Sequence, residues 1–261
     1  MKKIITLALV VLMVASLLAG CGGAGAKNGL KTVESGKLIM ATNAAFPPYE
    51  FIEGNEIVGI DAEIAGAIAK KLGLELQIDD MEFDSIVESV KGGKADIGLA
   101  GLTVTDERKE EVDFTESYAT GVQVVIVAED SAITSVDDLF AEGASTKIGV
   151  QRNTTGDLYT TWDLEDAGLA TIDRYSKGAE AVQALKTGKV DCVVIDNEPA
   201  KAFVEANEGL VILDTEYAVE EYAIAMSKDD EELYELVNAT LEEMIADGTV
   251  AEIVGRYISA E

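Results

Sequence analysis

The chain has 261 residues and carries 20 Lys and Arg against 49 Asp and Glu, a formal net charge of −29 that argues against binding to the phosphates of nucleic acids. Because it contains no His, the sequence excludes Ser-His-Asp and Cys-His catalysis and His-ligated metal sites, and its two Cys do not form a metal-spaced pair. Hydrophobic residues make up 48% of the chain, so a core is available to one large domain or two modest ones.

The N-terminal segment predicts secretion and a lipid anchor. Two lysines precede the apolar run 4–18, which has the length of a signal-peptide core and is short for a membrane span. The run leads into Leu-Ala-Gly before Cys21, a sequence that resembles a bacterial lipobox, in which the cysteine is diacylated and becomes the new N-terminus. We therefore predict a lipoprotein signal peptide over residues 1–20, lipidation of Cys21 and a flexible tether over 21–36. An ordinary secretory signal with a chance cysteine is the alternative.

Beyond the tether, apolar strands alternate with helical stretches, a pattern typical of α/β units with mainly parallel sheets. In the first half the predicted elements are strand 37–42, helix 61–72, strand 74–78, helix 84–91 and strand 95–100. In the second half they are, in the same order, strand 147–150, helix 156–167, strand 170–174, helix 177–186 and strand 190–195. We infer two lobes of similar βαβαβ topology, with Cys192 as a buried core thiol.

The C-terminal elements predict that lobe 1 is built from two separate parts of the chain. Strand 222–226 and the two helices after it fit best as a return to the first lobe. Lobe 1 would then comprise residues 37–121 plus 217–261, and lobe 2 would comprise residues 122–216. The chain would cross twice between the lobes, which predicts a two-strand hinge.

Two charged residues are predicted to lie at the mouths of opposite lobes, because ligands of open α/β sheets bind beyond the carboxyl ends of the strands. Arg108 stands in the first turn of a helix with Thr105 as its predicted N-cap, where a cation opposes the helix dipole unless an anion occupies the spot. Asp196 ends the third strand of lobe 2 and could receive an ammonium group. A surface ion pair for Arg108 and a simple turn role for Asp196 are the alternatives. Together the two charges indicate a zwitterion held between the lobes, which describes an amino acid.

The sequence resembles the family 3 solute-binding proteins of bacterial polar amino-acid ABC importers from about residue 37 to 258. The resemblance rests on motifs spread over both predicted lobes. They are FPPYEF at 46–51, VGID at 58–61, DIGLAGLTVTDER at 96–108, VDFT at 112–115 with Tyr118, GVQ at 149–151, TTG at 154–156 and DCVVID at 191–196. The resemblance implies a type II periplasmic-binding-protein fold, with two similar α/β lobes that are joined by a two-strand hinge and close on the ligand like a clamp.

Carried over position by position, the family pattern implies a ligand site composed of Asn43, Phe46, Phe83, Ala100, Gly101, Thr103, Arg108, Gln151, Thr155 and Asp196. In this pattern Arg108 would hold the α-carboxylate of the ligand, helped by the backbone of Thr103 and Thr155. Asp196 would hold the α-ammonium group, together with the Thr103 hydroxyl and the backbone of residues 100–101.

The resemblance also bears on the side chain of the ligand. Phe46 and Phe83, which follow predicted strands and could instead be core residues, would sandwich it. Asn43 and Gln151 would face its end. Family members that bind Lys or Arg often carry Asp where this chain has Asn43, so a polar neutral side chain such as that of glutamine is favoured. A basic amino acid is the alternative, because a pocket acid such as Glu50 or Glu198 could still receive a cation.

The function implied by the resemblance is extracytoplasmic capture of a free amino acid and its delivery to an ABC permease with its ATPase. The protein would be a monomer at the cell surface or in the periplasm, held at the membrane only by its N-terminal lipid, with no cofactor and no enzymatic activity. A dehydratase that acts on prephenate-like acids is one alternative on the same fold. An extracellular sensor or adhesin is another.

Overall fold

The computed structural model describes residues 30–258 of the chain. The predicted signal peptide, the lipidated Cys21 and most of the predicted tether lie outside the described residues. Within the described part, no helix is both long enough and apolar enough to cross a membrane. Cys192 is a buried free thiol, as predicted from the apolar run around it.

Within the described residues, the first half of the chain forms six strands and three helices. The strands are β1 (Lys37–Thr42), β2 (Ala45–Phe46), β3 (Glu50–Glu53), β4 (Glu56–Val58), β5 (Glu75–Asp80) and β6 (Ile97–Gly98). The helices are α1 (Ile60–Leu72), α2 (Ile86–Lys91), which continues a 3-10 turn at Phe83–Ser85, and α3 (Asp106–Glu111).

The second half begins with the long strand β7 (Asp113–Ala128) and a 3-10 turn at Val136–Phe140. Its further strands are β8 (Thr146–Gln151), β9 (Ala170–Tyr175), β10 (Cys192–Asp196), β11 (Leu210–Ile212) and β12 (Ala218–Met226). Its helices are α4 (Thr155–Thr160), which continues into a π-helical turn at Thr161–Glu165, then α5 (Gly178–Lys186), α6 (Asn197–Glu205), α7 (Glu231–Ala246) and α8 (Thr249–Tyr257).

One large sheet runs through the molecule in the order β5-β1-β6-β12-β7-β10-β8-β9, with β11 paired to β7. At one end β1 is parallel to β5 and β6, and at the other end β8 is parallel to β9 and β10. Between these two parallel groups, β7 and β12 pair with each other in antiparallel fashion, from Ala218 opposite Gln123 to Met226 opposite Asp113. One parallel group lies on each side of this central pair in the sheet, and within each group the carboxyl ends of the strands lie at the same edge.

The predicted elements differ from the observed ones where strands are short or a turn is irregular. The strand expected over 95–100 is reduced to β6, because the residues after it turn into the site through Gly101, whose φ is 52°. The helix expected over 156–167 is an α-helix that ends at Thr160 and continues as a π-helical turn. The small sheet β2-β3-β4 was not predicted, because strands of two to four residues show no clear alternation.

The small sheet is joined to α1 through Gly59, and only glycine fits there. Its φ is 126°, and a Cβ atom would lie 2.2 Å from the carbonyl oxygen of Tyr49. The following helix buries Ile60, Ile64 and Ile68, at the four-residue spacing of one helix face. The segment that carries Tyr49 and Glu50 is therefore held against the core at the edge of the cleft.

Candidate functional site

Arg108 is buried near the start of α3. The side chain of Thr105 accepts a hydrogen bond from the Arg108 N–H over 3.2 Å, so the predicted N-cap is present. Only 8% of Arg108 is exposed, and its guanidinium donates to the carbonyl oxygens of Thr103 (Nη1, 2.8 Å) and Asn153 (Nη2, 3.0 Å). Its Cζ lies 5.5 Å from the centre of the Phe83 ring. The side chain is therefore built into the site, and the alternative of a surface ion pair is wrong.

Burial lowers the pKa of Arg108 to about 10, and the charge of Glu220 opposes that shift most strongly. The guanidinium is therefore still protonated at neutral pH. Its two carbonyl partners leave further N–H groups available as donors. An anion that enters the site would meet a desolvated, oriented cation.

Asp196 is the last residue of β10 and is 6% exposed. It stands at the N-cap position of α6, yet its side chain makes no capping hydrogen bond. Its Oδ1 instead accepts from the Tyr222 hydroxyl. Burial, with a further contribution from the charge of Glu220, raises the pKa of Asp196 to about 7. The carboxyl group is thus directed to the interior, and a simple turn role does not describe it.

A small, partly open pocket lies in the cleft beside these two residues. Its walls are formed by Asn43, Phe46, Glu50, Phe83, Ala100, Gly101, Gln151, Thr154 and Asp196. Seven of the residues predicted from the sequence are in this wall. The remaining three, Thr103, Arg108 and Thr155, lie beside it and contact one another, since Arg108 binds the Thr103 carbonyl and the two threonine hydroxyls are 3.5 Å apart.

The two sides of the cleft touch directly. Gln151 Nε2 donates to Asn43 Oδ1 over 2.9 Å, and Asn43 Nδ2 donates to the carbonyl oxygen of Met81 over 2.7 Å. Nearer the surface, Arg152 forms an ion pair with Asp84 at 3.5 Å. With the Arg108–Asn153 bond, these contacts describe a cleft in its closed state.

Two buried carboxyl groups lie together behind the cavity. Asp61 Oδ2 accepts from the Gly101 N–H and from the Tyr118 hydroxyl, each over 2.9 Å, while Oδ1 and both Glu50 oxygens have no donor among the described residues. Burial and the neighbouring Asp61 charge raise the pKa of Glu50 well above its usual range, and burial raises the pKa of Asp61 to about 6. A proton held by Glu50 can be donated to Asp61, which would satisfy one of these orphaned oxygens.

Glu220 and Gln123 belong to the site but were not predicted. Glu220 Oε2 accepts from the Thr103 hydroxyl (3.0 Å) and from Gln123 Nε2 (3.2 Å), which also donates to the Thr155 hydroxyl oxygen (3.3 Å). Glu220 was missed because the strand predicted from the sequence begins only at Tyr222, whereas β12 begins at Ala218. Alternation was the available signal, since Glu220 and Tyr222 lie on the same face of an extended strand.

Comparison with known proteins gives a consistent picture. The sequence profile described as "Bacterial extracellular solute-binding proteins, family 3" matches residues 38–260 of the chain. The arginine-binding extracellular protein ArtP of Bacillus subtilis is 33% identical, with 100% of both chains covered. The ABC transporter glutamine-binding protein GlnH of the same organism is 31% identical, with 100% of this chain and 99% of the relative covered.

The solved structures extend the comparison to the fold. An ancestral arginine-binding protein bound to arginine has a TM-score of 0.79 at 38% identity, covering 86% of this chain and 99% of that one. An ancestral arginine-binding protein bound to glutamine has a TM-score of 0.79 at 37% identity, covering 87% and 100%. An ancestral amino-acid-binding protein, described as a precursor of cyclohexadienyl dehydratase, has a TM-score of 0.76 at 32% identity, covering 85% and 95%.

Proposed function

The chain belongs to the bacterial extracellular solute-binding proteins of family 3, and on this premise we propose that it binds a free α-amino acid in the pocket of its cleft. Membership confirms the family resemblance and the fold class expected from the sequence. The observation that carries the proposal is the placement of Arg108 and Asp196. Both are buried on opposite sides of the cleft: Asp196 is part of the cavity wall, and Arg108 lies beside that wall, bonded to the carbonyl oxygens of Thr103 and Asn153.

The chemistry of an amino acid matches that placement. Its α-carboxylate would take the open N–H donors of Arg108 with the backbone of Thr103 and Thr155, and its α-ammonium would take Asp196. Because closure excludes water from both contacts, the attraction between opposite charges is stronger than it would be in an open cleft. Phe46 and Phe83, both in the cavity wall, would cover the faces of the ligand side chain.

Glu50 favours a ligand with a cationic side chain, and arginine is our first candidate. The carboxyl group of Glu50 is fully buried in the cavity wall, and neither oxygen has a donor among the described residues. Among the described residues Arg108 is the one buried cation, whereas the acids Glu50, Asp61, Asp196 and Glu220 are all buried in and around the cleft. A guanidinium group would offer donors to Glu50 and reduce the surplus of negative charge. Relatives named as arginine-binding support the same choice.

Glutamine is the second candidate, because the amides of Asn43 and Gln151 already bond to each other across the cleft. An amide at the end of the ligand could replace either partner and satisfy the other with its own donor and acceptor. The glutamine-binding relative supports this choice.

The mechanical part of the proposal concerns the two lobes. We place lobe 1 at residues 37–121 plus 217–261 and lobe 2 at residues 122–216, with β7 and β12 as the hinge. The supporting observation is that β7 and β12 pair with each other between the two parallel groups of strands. Opening at this pair would separate Arg108 and Asn43 from Asp196 and Gln151 and release the ligand.

The cellular part of the proposal is delivery of the amino acid to an ABC permease and its ATPase by a monomer that is lipid-anchored through Cys21 outside the cytoplasm. The names of the relatives support the transporter. We further propose that binding takes place without turnover. An ancestral relative lies on the path to a dehydratase, so incubation with prephenate-like acids checks this point, and the appearance of an aromatic product would contradict it.

Isothermal titration calorimetry of the mature chain with arginine, lysine, histidine and glutamine tests the proposed ligand. We expect arginine to bind most tightly and Glu50→Gln to lose more affinity for arginine than for glutamine, since a bound guanidinium would favour the ionised form of Glu50 and a neutral amide ligand would not. The control variant Glu53→Gln removes a charge from the exposed end of the same strand and should leave both affinities unchanged. Tightest binding of glutamine by the native chain would replace the first candidate with the second. Absence of binding by every standard amino acid would contradict the function itself.

A further inference from the structure

We propose that Glu220 is a positioning residue of the ligand site, which through one carboxylate oxygen aligns the Thr103 and Thr155 hydroxyls from the two sides of the closed cleft. The inference rests on the proposed amino-acid binding and concerns how that site is assembled. Glu220 itself would not touch the ligand.

The strand geometry directs Glu220 to the site. It pairs with Gly121 of β7, and it lies two residues before Tyr222, whose hydroxyl donates to Asp196. Residues two apart on a strand point to the same face. Glu220 is 4% exposed, whereas its neighbour Glu221 points away from the site and is exposed. The hinge strand therefore carries a buried carboxylate on the face that also holds Asp196 in place.

The contacts of Glu220 join the two sides. Thr103 lies before α3, while Thr155 begins α4 on the far side of the cleft. Glu220 Oε2 accepts from the Thr103 hydroxyl at 3.0 Å, and Gln123 Nε2 lies within reach of both Glu220 Oε2 (3.2 Å) and the Thr155 hydroxyl oxygen (3.3 Å). One network thus runs from side to side through both hinge strands.

The direction of these hydrogen bonds follows from Glu220 Oε2 acting as the acceptor of both. A carboxylate only accepts, so the Thr103 hydroxyl must donate to it and keeps its lone pairs for a donor such as the ligand ammonium. Gln123 donates to the Thr155 oxygen, which leaves the Thr155 proton free to be donated to the ligand carboxylate. A neutral amide at position 220 would not impose this order, because it can both donate and accept.

Charge gives Glu220 a second effect. It is the strongest of the charges that favour the protonated form of Arg108, and it disfavours ionisation of Asp196. Its other oxygen, Oε1, is buried without a donor among the described residues. An unpaired buried carboxylate oxygen is unfavourable, so a neutral residue at position 220 would give a more stable fold if the role of Glu220 were packing alone.

The test compares Glu220→Gln with the matched control Glu221→Gln, which removes the same charge one residue along the strand. Titration calorimetry with the amino acid that the native chain binds should show affinity reduced by about 10- to 100-fold in Glu220→Gln, the range for lost hydrogen bonds to a charged group, and unchanged in Glu221→Gln. Unchanged affinity in both variants would overturn the positioning role. Absence of binding in the native chain would instead contradict the proposed function.

A double-mutant cycle separates positioning from a merely structural role. If Glu220 acts in part through Thr103, the affinity loss in the double variant Glu220→Gln/Thr103→Val should be smaller than the sum of the losses in the two single variants. Additive losses would mean that Glu220 does not act through this hydroxyl. Should Glu220→Gln fail to fold, Glu220→Asp is the second variant, because it keeps the charge but its shorter side chain withdraws the oxygen from Thr103 and Gln123. We then expect reduced affinity with an unchanged melting temperature. Full native affinity would overturn the proposal.

The pH dependence of the affinity is a further test, because a change in packing alone would not alter it. Several titratable or charged groups face Asp196 from the surrounding elements: Tyr49, Glu50, Arg108, Tyr159, Glu220 and Tyr222. Removing the Glu220 charge lowers the pKa of Asp196. The loss of affinity on acidification should therefore begin at a lower pH in Glu220→Gln than in the native chain, and at the native pH in Glu221→Gln. Identical profiles would contradict the electrostatic part of the proposal.

Discussion

Gln151 and Asn43 meet across the cleft, with Nε2 of the first donating to Oδ1 of the second over 2.9 Å. Each amide comes from the end of a strand, β8 and β1 respectively, on opposite sides of the cavity. Both amides are part of the cavity wall. A ligand with a long side chain must therefore insert between these amides or stop short of them, and this choice is where specificity for the side chain would be set.

Arg108→Ala should weaken amino-acid binding by about 30-fold or more, the range for removing one partner of a buried, hydrogen-bonded charge pair. Titration calorimetry measures the loss, and circular dichroism checks that the fold is kept. The control is Arg256→Ala, because Arg256 pairs with Glu63 and Glu252 on the surface and surface pairs contribute little. Native affinity in Arg108→Ala would remove this residue from the site.

Affinity for the amino acid should fall as the pH drops below about 7. Asp196 must be ionised to receive the ammonium group, and burial raises its pKa in the closed, ligand-free protein to about 7. Below that value the affinity should decrease by up to about tenfold per pH unit. Calorimetry between pH 5.5 and 8 measures how the affinity depends on pH. The control is Asp196→Asn, which should bind weakly and show a smaller dependence on pH. A native affinity that is constant over this range would contradict the prediction.

The ligand-free protein should become more stable on acidification from pH 8 toward pH 5, the reverse of a protein with paired carboxylates. Asp61 and Asp196 have folded-state pKa values of about 6 and about 7, above the ordinary 3.8, and that of Glu50 is raised further. At pH values between the unfolded-state and the folded-state pKa of these groups, the folded state binds more protons than the unfolded state. The free energy of unfolding therefore falls as the pH rises.

Melting temperature against pH tests this sign. Protonation also reduces the repulsion within a chain of net charge −29, which acts in the same direction. The variant Glu50→Gln separates the two effects, because it removes one buried carboxyl and should flatten the profile while leaving the surface charge in place. A native melting temperature that rises from pH 5 to pH 8 would show the assignment to be wrong.

Gly59→Ala should destabilise the fold by more than Gly54→Ala, although both glycines have positive φ values of 126° and 64°. An added Cβ at Gly59 would lie 2.2 Å from the Tyr49 carbonyl oxygen, whereas the space around Gly54 is open. The left-handed conformation alone costs about 1–2 kcal/mol, so Gly54→Ala should stay near that range. Denaturant unfolding measures both, and equal losses would mean that the close approach at Gly59 is not limiting.

Cys21→Ser should move the protein from the membrane fraction to the soluble fraction. The prediction comes from the small residues before Cys21 at the end of an apolar run. Cell fractionation with detection of the mature chain measures it, and Cys192→Ser serves as the control because that thiol is buried in the fold. Continued membrane retention of Cys21→Ser would contradict lipidation.

Local chemistry explains what could be predicted from the sequence. Thr105 before two acids is a recognisable helix start, and this position made Arg108 unusual before its surroundings were known. Asp196 stood out in the same way, as a charge at the end of an apolar strand. The structure brings these residues together with the aromatic and amide residues that the family resemblance implied.

What could not be predicted depends on pairing between distant segments. Alternation could place Glu220 on the same strand face as Tyr222, but its position in the site depends on the register of β12 on β7, which a local pattern does not reveal. Glu50 and Asp61 become partners because Gly59 turns the chain back on itself between them. In both cases the local sequence does not distinguish an acidic residue that the fold buries from one that stays exposed to solvent.

The register of Ala218 opposite Gln123 has a consequence for how such a molecule can be rebuilt. The intervening stretch, residues 124–217, leaves and re-enters the sheet at neighbouring points, so it behaves as a cassette whose two ends lie side by side. Exchanging that cassette between relatives would carry Gln151, Thr155 and Asp196 into a new host while Arg108 stayed behind. One side of the ligand site could thus be exchanged between relatives independently of the other side, by replacing a single continuous segment of the chain.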